Sequence, residues 1–576
     1  MNNIEYIEAL ISQGRCFEAR SQAEEAVKES SELRLKQLYA LALSKSGTPE
    51  AALEFMEPVY RQFPDDPESS GILGSIYKEL FKKNQSAKFA TQSRDTYLRN
   101  FSATKSYYTG INAASMSAMA GQAARSREIA NEVIALVESS GQEGFWELAT
   151  LGEAYMLIKN RAKAVQHYVQ ARKLAVNDWG KVTSVYNQLW LLNHFLPVPS
   201  EVLTLFNPPA VVAFVGHMID QPGRATPRFP LALETRIKEA IVNSIRTQKA
   251  GIGYCSLACG GDILFAEAMV EQGGEVNIFI PFALDDFINV SVAFAGEDWV
   301  RRFYVLMNNH AATFITHEPF AGHTDLLAFQ SKIIFGSAIL RSTSLHGEPR
   351  LLTVLSEMDL KRKEGGTRDA LRLWPYPKGY LNINPDIFLS QVEVSTSVST
   401  SPKAATAEPV LDRPVIYLVL ADYTHLNSME RDKILKTIRQ KIDEETINCK
   451  ANQCTDATAL LGFHSESSAL DFVQFLQEFV RDFRSAPQLT FNLHAGPVFL
   501  LEGADLKNPM MKGEPLTVVQ EMNKITTPGF IYASELFAAL LALNTTKFSL
   551  DYAGVFTVNG GRKNQPVYRV NFKSVH

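Results

Sequence analysis

The stretch Gly253–Pro281, GYCSLACGGDILFAEAMVEQGGEVNIFIP, constrains this chain more than any other. It reads as strand, glycine turn, helix, glycine stop, strand. Tyr254, Cys255 and Leu257 suit a short buried strand. Gly260 and Gly261 permit a tight turn at positive φ and let another backbone or a ligand come close. Asp262 is placed to cap the helix N-terminus. Ile263, Leu264, Ala266, Ala268 and Met269 give the helix an apolar face, and Gly273-Gly274 stops it. Val276–Ile280 is the second buried strand. Such a βαβ unit requires a parallel sheet covered by helices. Its glycine turn presents N–H groups and the positive end of a helix dipole, which suits a phosphate or carboxylate. Close helix–strand packing alone would demand the same glycines.

A chain of 576 residues is too long for one core and predicts about three or four domains. The formal charge of −5, with no basic tract, argues against a nucleic-acid partner. The cysteines (Cys16, Cys255, Cys259, Cys449 and Cys454) lack zinc-like pairing and fit a reducing cytoplasm. The start, MNNIEYIEALISQGR, is amphipathic and acidic, unlike a signal peptide. No apolar run reaches the roughly 18–20 residues that span a bilayer, so no membrane partner is expected.

Residues 1–205 carry alanine and leucine at helical spacing, with paired helices joined by short turns. Examples are Leu38–Ser46 with Glu50–Phe63, Ala113–Ala120 with Gln122–Val137, and Trp146–Ile158 with Arg161–Ala175. Small residues such as Gly152 and Ala164 let paired helices approach, and Tyr155 and Tyr168 fill the gaps. This pattern predicts an all-α tetratricopeptide-like solenoid, whose concave face suits a protein partner. The pieces GSIYKELF, SRDTYLRNF and YYTGINAASM within Leu73–Gly121 resemble the tetratricopeptide, TRAF-binding region of the apoptosis signal-regulating kinases. No glycine loop, HRD or DFG follows in order, so the resemblance implies a regulatory domain without phosphotransfer.

Residues 206–390 change character. Asn207-Pro208-Pro209 is a linker and Val211–Val215 a strand. Gly216, His217, Arg224 and Arg228 follow it, where an open α/β sheet binds its ligand, and the arginines suit phosphate. Leu233–Thr247 is the first crossover helix. Thr324 can cap a long helix from Asp325 to about Arg341, and Leu351–Leu355 reads as the last strand. Gly365-Gly366-Thr367 opens a helix and again suits an anion. FVGHMID, ACGGDILFAEA and GGTRD together resemble the Rossmann-like superfamily of the LOG hydrolases, DprA and the nucleotide-sensing SLOG domains. The resemblance implies an α/β parallel-sheet domain that binds a nucleotide or nucleotide-derived ligand through Gly216, His217, Arg224, Arg228, Gly260, Gly261, Asp262, Gly365, Gly366 and Thr367. LOG-type hydrolases carry PGGxGTxxE; here Asp369 falls in a different register, which counts against glycosidase chemistry.

Residues 391–412, rich in Ser, Thr and Ala, read as a flexible linker. From 413 to 576 the order βα, ββ, α, β fits an α+β ferredoxin-like core. Asp422 and Asp456 stand at strand ends, where paired acids either hold a divalent cation or cap local turns. LVLADYTHL, NQCTDATALLGF, LHAGPV and PGFIYASE resemble the class III nucleotidyl cyclases. The resemblance makes Asp422, Asp456 and the Tyr423 carbonyl ligands of Mg or Mn, and implies a homodimer or heteromer. It places Thr517 and Glu521 where the family needs Asn and Arg to stabilise the transition state. A carboxylate there repels a phosphoryl oxygen. The sequence therefore predicts a cytoplasmic signalling protein that senses a nucleotide-type ligand and carries an inactive cyclase-like domain. The alternatives are a working or partner-dependent cyclase making a cyclic nucleotide from ATP or GTP, and a nucleotide-processing hydrolase in the Rossmann-like domain.

Overall fold

The computed structural model describes residues 3–176, 178–320, 325–361, 371–389, 414–444, 449–481, 483, 489–501, 509–544, 547–558 and 563–573. Thr324, Gly365, Gly366, Thr367 and the expected linker 391–412 lie outside them.

The chain opens with helices α1 (Asn3–Ser12), α2 (Cys16–Glu29), α3 (Leu33–Lys45), α4 (Pro49–Gln62), α5 (Pro67–Asn84) and α6 (Ala87–Thr104). They continue as α7 (Tyr107–Met119), α8 (Ala123–Ser140), α9 (Phe145–Leu157), α10 (Arg161–Lys173), α11 (Trp179–Leu192) and α12 (Ser200–Phe206). The expected pairs are present. Small residues set their spacing: a Cβ on Gly152 would lie 2.8 Å from the Tyr168 ring, so only glycine lets α9 and α10 pack this closely. Side-chain caps hold several N-termini, such as Asp66 accepting from the Ser69 amide.

A six-stranded, all-parallel sheet follows, built from β1 (Ala210–Gly216), β2 (Ala250–Cys255), β3 (Glu275–Ile280), β4 (Ala311–Phe314), β5 (Arg350–Val354) and β6 (Tyr380–Ile383). Its order is β4-β3-β2-β1-β5-β6. Alternate side chains of the strands face two cores. Val212, Phe214, Cys255 and Ile278 pack with α13 (Glu234–Gln248), α14 (Gly261–Glu271), α15 (Leu284–Ser291) and α16 (Glu297–Asn309). Val211, Ala213, Tyr254 and Phe279 face α17 (Asp325–Ser344) on the other side. The chain reverses direction across the sheet between β1 and β5, which creates a switch point at their carboxyl ends. Short helices α18 (Glu357–Lys361) and α19 (Asp386–Leu389) flank β6. Several elements escape the sequence reading, α15, α18 and α19 among them. Strand β6, not Leu351–Leu355, is the last strand; of its residues YLNI only Ile383 is buried, so no alternation marks it.

The second sheet is mixed. It contains β7 (Val415–Asp422), β8 (Cys449–Cys454), β9 (Thr458–Phe463), β10 (Thr490–Pro497), β13 (Ile531–Ser534), β14 (Phe548–Val558) and β15 (Lys563–Phe572), in the order β14-β15-β13-β10-β7-β9-β8. A small hairpin, β11 (Phe499–Leu501) with β12 (Met510–Lys512), stands apart. Strands β10 and β13 run parallel, whereas β10–β7 and β7–β9 are antiparallel. Helices α20 (Ser428–Asp443), α21 (Glu466–Val480) and α23 (Glu535–Ala542) cover one face, and α22 (Glu514–Ile525) the other.

The described chain groups into two compact units. One is Met1–Pro208 with Tyr552–Phe556; the other is Pro209–Asp551 with Thr557–His576. The sequence reading separates the two sheets into domains, yet they share one hydrophobic core: α17 and α23 pack together between Tyr254 and Phe279 of the first sheet and Tyr417 and Val419 of the second. The helices touch backbone to backbone, since a Cβ on Gly336 would stand 1.9 Å from the Ala539 carbonyl oxygen. No described helix is long and apolar enough to cross a membrane.

Candidate functional site

The switch point gathers His217, Arg224, Arg228 and Asp262, polar side chains that the sequence singles out. Gly216 ends β1 opposite Val354 of β5, and the next amide, His217 N–H, donates to the Val354 carbonyl at 3.0 Å. This short bond holds the two strand ends together. The chain then doubles back against the glycine turn. Ile219 N–H donates to Cys259 at 3.2 Å and Gly261 N–H to the His217 carbonyl at 2.9 Å. Gly260 has φ +98°, and a Cβ there would lie 2.7 Å from the Ile219 nitrogen. The close approach that these glycines permit is thus taken by the His217–Ile219 backbone.

Asp262 departs from its expected place. The helix begins at Gly261, with Gly260 at the cap position and no side-chain cap. The Asp262 carboxylate lies inside the first turn and accepts from the Ala258 amide at 3.2 Å. Burial pushes it up to about 7, against the lowering effect of the Ala258 and Gly216 amides.

Beyond Gly216, two carboxylates organise the positive side chains. Asp220 Oδ2 accepts from the amides of Arg228 at 2.8 Å and Phe229 at 3.0 Å, and its Oδ1 stands 3.3 Å from Arg224 Nε. Asp359, on α18, receives Arg228 Nη1 at 3.2 Å on each oxygen, the Ser356 hydroxyl at 2.7 Å on Oδ2, and His217 Nε2 at 3.0 Å from the same atom. Ser356 N–H also reaches His217 Nε2, at 3.1 Å. A protonated imidazole donates to the carboxylate, whereas a bare Nε2 accepts from the amide. Burial would raise Asp359, but the Ser356 hydroxyl, His217 and Arg228 outweigh it and hold the carboxyl below its usual range. The Arg228 Nε atom is buried without a hydrogen-bond partner. Asp359 and Ser356 went unnoticed in the sequence, because nothing in SEMD marks them until β5 is seen to end beside β1.

In the mixed sheet, Asp422 closes β7. Its Oδ1 accepts from the Thr424 amide at 2.9 Å and from the Thr424 hydroxyl, and its Oδ2 from Asn523 Nδ2 at 2.5 Å. Asn492 Nδ2 in turn donates to Asn523 Oδ1 at 2.8 Å. Asp456 lies in the β8–β9 turn, 84% exposed and 3.9 Å from Arg431 Nη1. The Tyr423 carbonyl accepts from the Leu426 amide at 3.1 Å. Both Asp422 oxygens and the Tyr423 carbonyl thus hold protein donors, with which a bound Mg or Mn would compete. Among the described residues no three His, Cys, Asp or Glu side chains group as a metal site. Thr517 is half-buried on α22, and Glu521 pairs with Lys524 at 2.7 Å. Asn492 and Asn523 were missed, since isolated asparagines carry no motif.

The helical array has its own polar seam. Lys78 on α5 donates to Asn112 on α7 at 2.7 Å and to Gln188 on α11 at 3.0 Å. Gln188 donates to Glu153 on α9 at 2.7 Å, and the Ser115 hydroxyl donates to the same carboxylate. Burial pushes Lys78 down to about 8. GSIYKELF and YYTGINAASM supply Lys78, Asn112 and Ser115 to this seam.

Residues 15–117 match the family TPR-S, Tetratricopeptide Repeats-Sensor. A tetratricopeptide protein from Thermus thermophilus is similar at 17% identity, covering 33% of this chain and 98% of that one, with a TM-score of 0.28. The adenylyl cyclase CyaB from P. aeruginosa is similar at 11% identity, covering 28% and 97%, with a TM-score of 0.25. An adenylate/guanylate cyclase/hydrolase from Silicibacter pomeroyi is similar at 17% identity, covering 27% and 96%, with a TM-score of 0.22. The cyclase likenesses are weak and partial. No curated protein matches. The N-terminal helices form a tetratricopeptide-like array, of a kind suited to regulatory protein interactions.

Proposed function

We propose that this chain is a regulatory sensor in which the parallel sheet binds a nucleotide or nucleotide-derived ligand. The helical array engages a protein partner. The mixed-sheet region is a cyclase-like module that assembles with a second copy or a related chain and does not turn over substrate. The observation that carries the reading is the convergence of His217, Arg228 and Ser356 at the carboxyl ends of β1 and β5. A doubly wound sheet opens its ligand crevice there, and a guanidinium beside an imidazole and a hydroxyl suits a phosphate. The resemblance of FVGHMID and ACGGDILFAEA to nucleotide-sensing domains points the same way.

Two features support a retired cyclase module. Asp422 is satisfied by Thr424 and Asn523, and Glu521, paired to Lys524, supplies negative charge where a cyclase needs a cation. The test is made on the full-length protein: calorimetric titration with ATP and GTP, then product analysis with Mn²⁺ and Asp422→Ala as control. Saturable binding without cyclic product is expected. Cyclic product that disappears in Asp422→Ala would make the chain a cyclase, and absence of any nucleotide binding would remove the sensor reading.

A further inference from the structure

The polar groups at the switch point are already spent on a carboxylate of this chain. Arg228, His217 and Ser356 all turn to Asp359, whose side chain is 11% exposed. Three donors aimed at one anion form the arrangement that would hold a ligand's phosphate or carboxylate. The fit to Asp359 is incomplete. Both carboxylate oxygens lie on Arg228 Nη1, while the Nε atom stays buried and unpartnered. A buried donor left without an acceptor is destabilising. A tetrahedral anion offers a further oxygen that could reach it.

The element that presents Asp359 is short and partly exposed. Helix α18 spans five residues, Glu357–Lys361, and Glu357, Met358, Asp359 and Leu360 all keep some exposure. It is fixed by polar bonds: Ser356 receives the Asp359 amide at 3.3 Å and, through its carbonyl, the Leu360 amide at 3.1 Å, while the Glu357 amide donates to Asp386 at 2.9 Å. With little apolar area to expose, its displacement is cheap compared with opening the sheet.

We propose that Asp359 is a built-in stand-in for the ligand's anionic group, and that binding proceeds by exchange. The incoming phosphate takes Arg228, His217 and Ser356, and Asp359 leaves with α18. This rests on the nucleotide-type reading of the site and adds its regulation. Occupancy is converted into movement of α18, and the closed form lowers the apparent affinity by the fraction of molecules in which Asp359 is seated.

The experiment compares full-length wild type with Asp359→Asn, titrated with ATP and, separately, with inorganic pyrophosphate to distinguish a nucleotide from a free phosphate anion. An amide cannot compete as an anion, so Asp359→Asn is expected to bind ATP roughly tenfold more tightly, as for a closed form populated about ten to one. Asp386→Ala, which removes the carboxylate that receives the Glu357 amide and leaves Arg228, His217 and Ser356 in place, serves if the first variant folds poorly; a smaller gain is expected. In wild type, ATP should speed hydrogen exchange of the Leu360 amide. Binding by wild type with no gain in either variant, or slower exchange at Leu360, overturns the exchange mechanism and leaves the sensor reading standing. Tighter binding of pyrophosphate alone retains the exchange but makes the ligand a free phosphate anion, which overturns the nucleotide reading. No binding of either probe by any of the proteins overturns both.

Discussion

Asp359 and Asp422 each close a strand-end site, and their surroundings are opposite. Asp359 sits among an arginine, a histidine and a hydroxyl, in a crevice that concentrates positive charge and then neutralises it. Asp422 is held by neutral donors, Thr424 and Asn523. The first can trade its carboxylate for another anion without leaving a buried charge bare. Among the described residues the second is held by uncharged donors, with which a metal would compete for its oxygens. Sites that look alike in sequence, an acid after a hydrophobic strand, thus differ by what neighbouring strands deliver.

The comparison is broken most severely at the joint between the sheets. Gly336→Val would drive a side chain into the Ala539 backbone. A loss of about 3 kcal/mol or more is expected, since neither helix can move aside. If the two sheets fold as one unit, chemical denaturation followed at both sites shows a single, coincident transition shifted to lower denaturant. Two separated transitions would mean that each site belongs to an independent fold.

The next effects are pH-dependent and of opposite sign in the two sheets. Burial raises Asp262 from 3.8 to about 7, so its contribution is complete below about pH 3.8 and is lost as pH rises through about 7. Burial lowers His494 on β10 from 6.5 to about 3, so its contribution is present above about pH 6.5 and is lost as pH falls towards 3. Each tenfold change in proton affinity amounts to about 1.4 kcal/mol. Asp262→Asn should flatten the alkaline arm of the stability profile and His494→Gln the acid arm, as read by thermal melts from pH 4 to 9. An unchanged profile in either variant would show that the group does not titrate on unfolding.

Gly260→Ala sharpens the distinction between a ligand cradle and a packing turn. Its positive φ and the 2.7 Å approach to the Ile219 nitrogen predict a loss of about 2 kcal/mol with or without ATP present. A variant of normal melting temperature that fails to bind ATP would make the turn a ligand cradle instead. The smallest effect is expected at Asn523→Ala, about 1 kcal/mol for one lost bond to Asp422. The freed carboxylate should bind Mn²⁺ more tightly in a paramagnetic relaxation titration. Unaltered Mn²⁺ affinity would mean that Asn523 does not guard the site.

Much of the architecture was legible because it is written in local periodicity. The helical pairs, the βαβ unit and β7 each repeat apolar residues at a spacing that only one secondary structure can bury. Strand β6 and helix α15 were not legible. YLNI is only four residues long and does not alternate, and α15 opens on Leu284-Asp285-Asp286 behind Ala283, which offers no side-chain cap. His217 and Arg228 could be singled out because they follow the first strand. Asp359 could not: it lies 131 residues from Arg228, and only the return of β5 beside β1 brings them together. The intimate joining of the sheets hangs on Gly336, one glycine inside a helix of 20 residues, which in sequence is indistinguishable from a tolerated defect.

That joint also bears on how the chain could be divided. Residues 391–412 stand between the two α/β halves in the sequence. Cleavage there would sever one covalent link yet leave α17 and α23 clasped along their length, so the nicked pieces should travel together on a sizing column. Producing either half alone would strip one wall from a shared interior and hand an adhesive, oily ridge to the solvent. The pair is better thought of as a hinge-less casting than as beads on a string, and any gene fusion that shuffles one half would have to carry the other with it.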